Sequence, residues 1–259
     1  MFKGYTELLV QKRKKLVLVQ FNNPKKRNCL NRSAYIEITR VLCEAAQDDE
    51  VTIVVFTGVG DFYTAGNDLS QYKNIDDLET FITESTKIFK EMLKAFTECP
   101  KVLISLINGP CIGIGATLAC LSDMIWCSEN AYFATPFVKL GIVPEAASSY
   151  MFPLIMGRSK ATEMLLFSEK LLPYEALQYH FVSRVYKPSE LNNVIWPKLF
   201  AFSELPPESL QISKKLLRNH QKSNILQAID AECDELYKRF HTEEFFNALM
   251  QFNAKKSKL

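Results

Sequence analysis

Asp61-Phe62-Tyr63-Thr64-Ala65-Gly66-Asn67-Asp68-Leu69 follows the run VTIVVFT at 51–57, and this stretch decides the fold. The run is β-branched and apolar on both faces, the pattern of a strand buried inside a parallel sheet. A second such unit lies downstream. There the run at 102–107 leads into Asn108-Gly109-Pro110-Cys111-Ile112-Gly113-Ile114-Gly115-Ala116-Thr117-Leu118, which opens an apolar helix. Gly66, Gly113 and Gly115 let the backbone turn sharply and let a ligand approach without interference from a Cβ. The helix opening near Ile114 offers unpaired N–H groups and the positive end of its dipole. Two loops of this kind can aim two peptide N–H groups at one point, which is what holding a carbonyl or thioester oxygen requires.

Outward from these units, segments 8–10 and 16–21 read as paired strands joined by the turn at Lys12-Arg13-Lys14-Lys15. Residues 31–47 have helical apolar spacing, with Asn31 as the cap and Ile36, Val41 and Leu42 facing inward. A long amphipathic helix is expected over 76–98, with Pro100 just beyond its end. Short strands are expected at 123–127 and 132–134, and a helix at 145–154 starts directly after Pro144. From Arg158 onward nearly everything reads as helix, at 161–167, 191–202, 207–218, 224–240 and 242–252. Strands alternate with helices first and helices close the chain, so the class is α/β, with a core over 1–190 and a helical region over 191–259.

Composition excludes several functions. A chain of 259 residues that is 47% hydrophobic can bury a full core. A formal net charge of +2 makes no demand for nucleic acid, and no apolar stretch is long enough to insert in a membrane. The odd, scattered set of seven cysteines has no C-x-x-C pair and fits free thiols in a reducing compartment. The last three residues, Ser257-Lys258-Leu259, form the address read by the peroxisomal import receptor, which makes that receptor an expected partner. A random chain ends this way on the order of once in a few thousand.

Familiar catalytic signatures are missing. The chain has no G-x-S-x-G elbow, no H-E-x-x-H and no P-loop lysine. His180, His220 and His241 stand apart and read as surface or structural residues, and no Cys/His cluster has metal-ligand spacing. Gly113-Ile114-Gly115-Ala116-Thr117-Leu118-Ala119 approximates a dinucleotide fingerprint. It lies outside the first strand–helix unit, however, and Glu129 closes no clean second strand, which disfavours NAD.

The order of strand, F-x-x-A-G-x-D-L, long helix, strand and N-G-x-x-x-G-x-x-x-x-L resembles the crotonase (enoyl-CoA hydratase/isomerase) superfamily. Asn22-Asn23-Pro24 with Asn28-Cys29-Leu30 matches its early loop, and Phe133-Ala134-Thr135-Pro136 with Leu140-Gly141-Ile142-Val143-Pro144 its later one. The resemblance implies a crotonase-like spiral of β-β-α turns, homotrimers formed through C-terminal helices, and acyl-CoA substrates. It assigns the oxygen-holding N–H groups to Asn67 and Ile114, with Gly113 at the turn. It places the CoA phosphates at Lys25, Lys26 and Arg27, and the adenine and thioester along Ala65, Gly66, Asn67, Asp68 and Leu69. Asp68 is expected to brace its loop by accepting local N–H bonds. The acyl tail is expected along the long helix and the loop around 72–78.

Hydratases of this superfamily use two glutamates, at positions occupied here by Thr117 and Phe137. Neither can take a proton from water, and Phe137 is expected to dry the site. Glu145 instead follows Pro144, as in the peroxisomal delta3,delta2-enoyl-CoA isomerases that the chain resembles. The resemblance implies an isomerase of fatty-acid β-oxidation in which Glu145 shuttles a proton from the alpha to the gamma carbon. No metal or redox cofactor is required, and coenzyme A is part of the substrate. An apolar pocket would raise the proton affinity of Glu145 while a helix start would lower it, so sequence leaves the sign of the shift open. The rival readings are a non-catalytic acyl-CoA binder, a dienoyl-CoA isomerase and a weak enoyl-CoA hydratase.

Overall fold

The structure, a computed structural model, describes residues 1–72 and 75–256. Ser257-Lys258-Leu259 and two positions of the expected acyl-tail segment, 73 and 74, lie outside the described residues. Strands β1 (Leu8–Arg13) and β2 (Leu16–Phe21) form an antiparallel hairpin with Lys14 in the left-handed region at its turn. Helix α1 (Arg32–Gln47) then leads to β3 (Ile53–Gly58), and helix α2 (Leu78–Glu98) to β4 (Val102–Ile107). The short β5 (Cys111–Ile112) runs into α3 (Ile114–Cys120), followed by β6 (Met124–Ser128) and β7 (Phe133–Ala134). Helices α4 (Ser148–Met156), α5 (Arg158–Leu165) and α6 (Pro173–Gln178) precede β8 (Arg184–Tyr186). Helices α7 (Trp196–Ser203), α8 (Pro207–Arg239) and α9 (Glu243–Lys256) close the chain.

The main sheet has the order β1-β2-β3-β4-β6-β8, with every pair after the hairpin parallel. Successive side chains on a strand point to opposite faces, and here both faces are buried. Val17, Val19, Val54, Phe56, Leu103 and Ile107 join α1, α2 and α3 in the larger core. Leu16, Leu18, Ile53, Val55, Ile104 and Leu106 face Ile195 and Leu199, so the segment around α7 covers the sheet's second face. A second, shorter ladder crosses the spiral turns, pairing Thr64 with Cys111, Cys111 with Phe133 and Phe133 with Leu171. This ladder carries the loops that leave β3 and β4 to one end of the molecule, side by side.

Several boundaries depart from the sequence reading. In α1 the inward face is Tyr35, Ile38, Val41, Leu42 and Ala45, whereas Ile36 is half exposed at 51%. At 100° per residue Ile36 lies off the stripe that Tyr35, Ile38 and Leu42 define. The segments expected at 207–218 and 224–240 are one helix, α8, because the polar residues between them are exposed or half-buried and nothing interrupts the backbone. Lys214 and Arg218 tie this helix to the sheet through Asp123, at 2.6 and 2.9 Å. The region after Arg158 also contains β8, which pairs with β6.

Candidate active site

The loop after β3 is held by two asparagines from different parts of the chain. Asn28 donates to the carbonyls of Val59 and Phe62, each at 2.8 Å, and accepts from the Asn23 amide. Asn108 donates to Gly60 at 2.7 Å and accepts from the Gly58 amide at 2.9 Å. Thr64 donates to the Asn28 carbonyl and accepts the Gly66 amide. These bonds satisfy a sharply turning backbone that regular structure does not reach.

Gly66 has φ +91°, and a Cβ there would stand 2.9 Å from the Ile112 carbonyl oxygen. Only glycine combines that conformation with that approach. The contact brings the two loops together, since a Cβ on Gly113 would stand 3.8 Å from the Gly66 Cα. Next to Gly66, the parallel bridge to Leu30 uses the Gly66 carbonyl and the Asp68 amide. In that ladder the intervening Asn67 amide points away from Leu30, and it donates to no acceptor among the described residues. Ile114 is the first residue of α3, whose N-cap, Gly113, has no side chain to cap it. Its amide therefore also has no intrahelical acceptor.

At the outer edge of this loop, Lys25, Lys26 and Arg27 are exposed beside the turn at 24–26. Lys26 bonds to Asp68 at 2.9 Å, and Arg27 lies over the Phe62 ring at 5.4 Å. The Ala65 amide donates to the Arg27 carbonyl at 2.8 Å, which joins the basic turn to the A-G-N-D segment. Asp68 also accepts from the Ser70 amide and hydroxyl. Burial works against its charge, but these bonds and Lys26 hold its carboxyl below the ordinary aspartate value. Leu69 begins the short turn Leu69–Tyr72.

Glu145 and Asn67 line one cavity of about 40 Å³, walled largely by Tyr35, Tyr72, Phe81, Phe89, Leu236 and Phe240. The wall is a packed aromatic set. Tyr72 lies 5.5 Å from both Phe81 and Phe240 by ring centroid, and Tyr35 lies 5.6 Å from Phe89. Tyr35 donates to the Asn67 side-chain oxygen at 3.4 Å, and Gln71 at 3.3 Å. Among the described residues Glu145 is the only carboxyl in this lining, and none of them donates a hydrogen bond to it. Burial, and secondarily the negative charge of Glu232, push its pKa up to about 8. Its own charge in turn helps raise the Tyr35 and Tyr72 hydroxyls, which burial raises most.

The sequence reading puts a helix start at Glu145, and the structure corrects this. Helix α4 begins at Ser148, and Ala146 and Ala147 occupy the left-handed region at φ +55° and +58°. Glu145 therefore precedes the helix instead of sitting in its first turn, and burial sets the direction of its shift. The cap comes from α8, where Glu232 accepts the Ala147 amide at 2.6 Å and the Ser149 amide at 2.8 Å. No sequence signal marks Glu232, because its partners are 85 and 83 residues away. Tyr35 and Gln71 are equally silent in sequence, whereas Tyr72 opens the segment expected near the acyl tail, and the structure places it in the cavity wall.

At the two positions where related hydratases hold glutamates, both side chains are inert. Thr117 is fully buried in α3, its hydroxyl 3.4 Å from the Ile114 carbonyl. Phe137 is packed in the larger core and is not among the residues lining the cavity, so the drying expected of it falls to the aromatic wall. Among the described residues no helix is long and apolar enough to cross a membrane.

Residues 11–258 match the family model described as enoyl-CoA hydratase/isomerase. The chain is 38% identical over 253 residues to "Enoyl-CoA delta isomerase 3, peroxisomal" of Mus musculus, covering 97% of this chain and 80% of the relative. It is 40% identical over 259 residues to "Enoyl-CoA delta isomerase 2" of Homo sapiens, of whose length it spans 65%. A crystal structure of an enoyl-CoA hydratase/isomerase from Pseudoalteromonas atlantica T6c superposes with a TM-score of 0.88 at 31% identity, covering 96% of this chain and 98% of the other.

Proposed function

The chain belongs to the enoyl-CoA hydratase/isomerase family, and from that premise we propose that it moves the double bond of a 3-enoyl-CoA to give trans-2-enoyl-CoA. The observation that carries this reading is a single carboxyl, Glu145, facing an aromatic cavity and holding its proton up to about pH 8. Adding water across a double bond requires a polar site that holds and activates the water, which an aromatic wall does not supply. Moving a double bond requires one group that takes a proton from one carbon and returns it to another. The relatives named as enoyl-CoA delta isomerases support the same choice.

In this reading the thioester oxygen sits between the Asn67 and Ile114 amides, which hold the charge that develops on it. The support is the free direction of both amides and the contact of their loops at Gly66 and Gly113. Ionised Glu145 removes a proton from the alpha carbon, and the electron pair of that C–H bond delocalises into the thioester as a dienolate. The same carboxyl then returns the proton to the gamma carbon, and the double bond comes to rest between the alpha and beta carbons. Both carbons lie on one face of a planar dienolate, within reach of one base. A pKa near the working pH lets one group both accept and donate.

Lys25, Lys26 and Arg27 are the proposed contacts for the CoA phosphates, supported by their exposure and by the bonds joining this turn to Ala65 and Asp68. Replacing all three by alanine should raise KM for the CoA ester with kcat nearly unchanged, the signature of lost uniform binding. The reaction is tested by giving a 3-enoyl-CoA to wild type and to Glu145→Gln and analysing the products. Equal turnover by both, or a 3-hydroxyacyl product from 2-enoyl-CoA at a higher rate, would reject the proposal.

A further inference from the structure

Helix α4 starts in a backbone conformation that its own residues do not favour. Ala146 and Ala147 are consecutive left-handed residues, a region that Cβ crowding normally closes to alanine. Ala147, the N-cap, has no side chain that could accept an amide. What holds the turn comes from α8. Both oxygens of the Glu232 carboxyl are used, one by the Ala147 amide and one by the Ser149 amide. Glu232 is itself only 6% exposed, and the next residue, Cys233, lines the cavity. A buried carboxylate is thus spent on three residues of backbone, and Glu145 is the side chain attached to the start of that backbone.

We propose that Glu232 is a positioning residue for the reaction, locking the left-handed turn at Ala146–Ala147 and so aiming the Glu145 carboxyl into the cavity. The inference rests on Glu145 being the base. Glu232 also acts through charge. Burial raises the Glu232 carboxyl as well, but the two N–H donors at the helix start pull it back down and Glu145 has none, so Glu232 is the member of the pair that ionises first. The other groups facing Glu145 are Arg32 and Tyr35 from α1, Tyr72 from the turn at 69–72, and Cys233 beside Glu232. Tyr35, Tyr72 and Cys233 are neutral at working pH, their pKa values raised by burial. Arg32 is already paired with Glu84 at 2.6 Å.

Two substitutions separate geometry from charge. Glu232→Gln removes the charge and turns an amide NH2 toward one of the two backbone donors. Glu232→Asp keeps the charge but withdraws the carboxyl by about one C–C bond, roughly 1.5 Å, breaking both bonds. Each should lower kcat for 3-enoyl-CoA isomerisation about 10- to 100-fold, with KM within about 2-fold, as expected of a displaced catalytic group. The pH midpoint of kcat/KM should fall in Glu232→Gln and not in Glu232→Asp. Adding Ala146→Gly and Ala147→Gly to Glu232→Gln should recover kcat severalfold, because glycine enters the left-handed region freely.

The proposal is overturned if Glu232→Gln keeps kcat within about 2-fold of wild type, or if the added glycines return less than about 2-fold of a real loss. If Glu232→Gln does not fold, Glu232→Asp with the same glycines carries the test. Glu145→Gln assayed in parallel tells the two ideas apart. An inert Glu145→Gln beside a normal Glu232→Gln rejects only the positioning role. An active Glu145→Gln rejects the function on which that role rests.

Discussion

Replacing Glu145 by glutamine should stabilise the protein while abolishing its activity. Glutamine matches the size of the protonated acid but cannot ionise. The Glu145 carboxyl, ordinarily near 4.5, is pushed up to about 8 in the folded chain, first by burial and then by Glu232. Below about pH 4.5 folded and unfolded chains both hold this proton, and it contributes nothing to the pH dependence of stability. Between 4.5 and 8 the native state keeps a proton that the unfolded chain has released, so stability falls as pH rises. Above 8 both states are ionised and the penalty is constant. At pH 7 the gap spans roughly 2.5 pH units, which at about 1.4 kcal/mol per unit costs the native state up to about 3.5 kcal/mol.

Glu145→Gln escapes this cost, gaining up to about 3.5 kcal/mol at pH 7 and almost nothing at pH 4.5. For a chain of this size the neutral-pH gain is up to about 7–14 °C in Tm. Urea titrations of both proteins at half-unit steps from pH 4.5 to 9 read the gap directly. It should widen by about 1.4 kcal/mol per pH unit before levelling near 8. Turnover of a 3-enoyl-CoA should drop about 100- to 10 000-fold in the same variant, the usual weight of a lost acid–base group. A stability gap that is flat across this pH range, or a less stable variant, would refute the burial argument for Glu145.

Two further outcomes follow from the same structure. The kcat/KM of wild type should rise with pH and level off near 8, because only ionised Glu145 can take the alpha proton; a flat profile from pH 6 to 9 contradicts this. Gly66→Ala should destabilise the fold by about 1–3 kcal/mol in urea titrations and lower kcat, since its Cβ meets the Ile112 carbonyl at an unfavourable φ.

Much of the scaffold is legible from local chemistry. The strand at 102–107 matches its sequence pattern to the residue, and Asn31 caps α1 by accepting the Ala34 amide, because both signals are carried by neighbours in sequence. Asp68 reads as a brace for the same reason, its partner Ser70 being two residues away. The two glycine loops stand out as a pair in the sequence alone, since each follows a buried strand. Sequence and structure part where distant contacts decide. The apolar pattern puts Glu145 in a helix that in fact begins three residues later, because only a carboxylate from α8 stabilises the left-handed turn between them. The same pattern divides the long helix α8 at a polar stretch, where nothing in fact interrupts the backbone.

By itself the sequence determined the α/β alternation, the family resemblance, the two loops and the candidate acid, since hydrophobic period, glycine placement and motif order are local or linear properties. Tertiary structure alone decided what kind of acid Glu145 is. Its proton affinity comes from an aromatic cavity assembled by α1, α2, the turn at 69–72 and α8, and from a second carboxylate behind it. Desolvation and through-space charge depend on what surrounds a group in three dimensions, and no spacing along the chain encodes that surrounding.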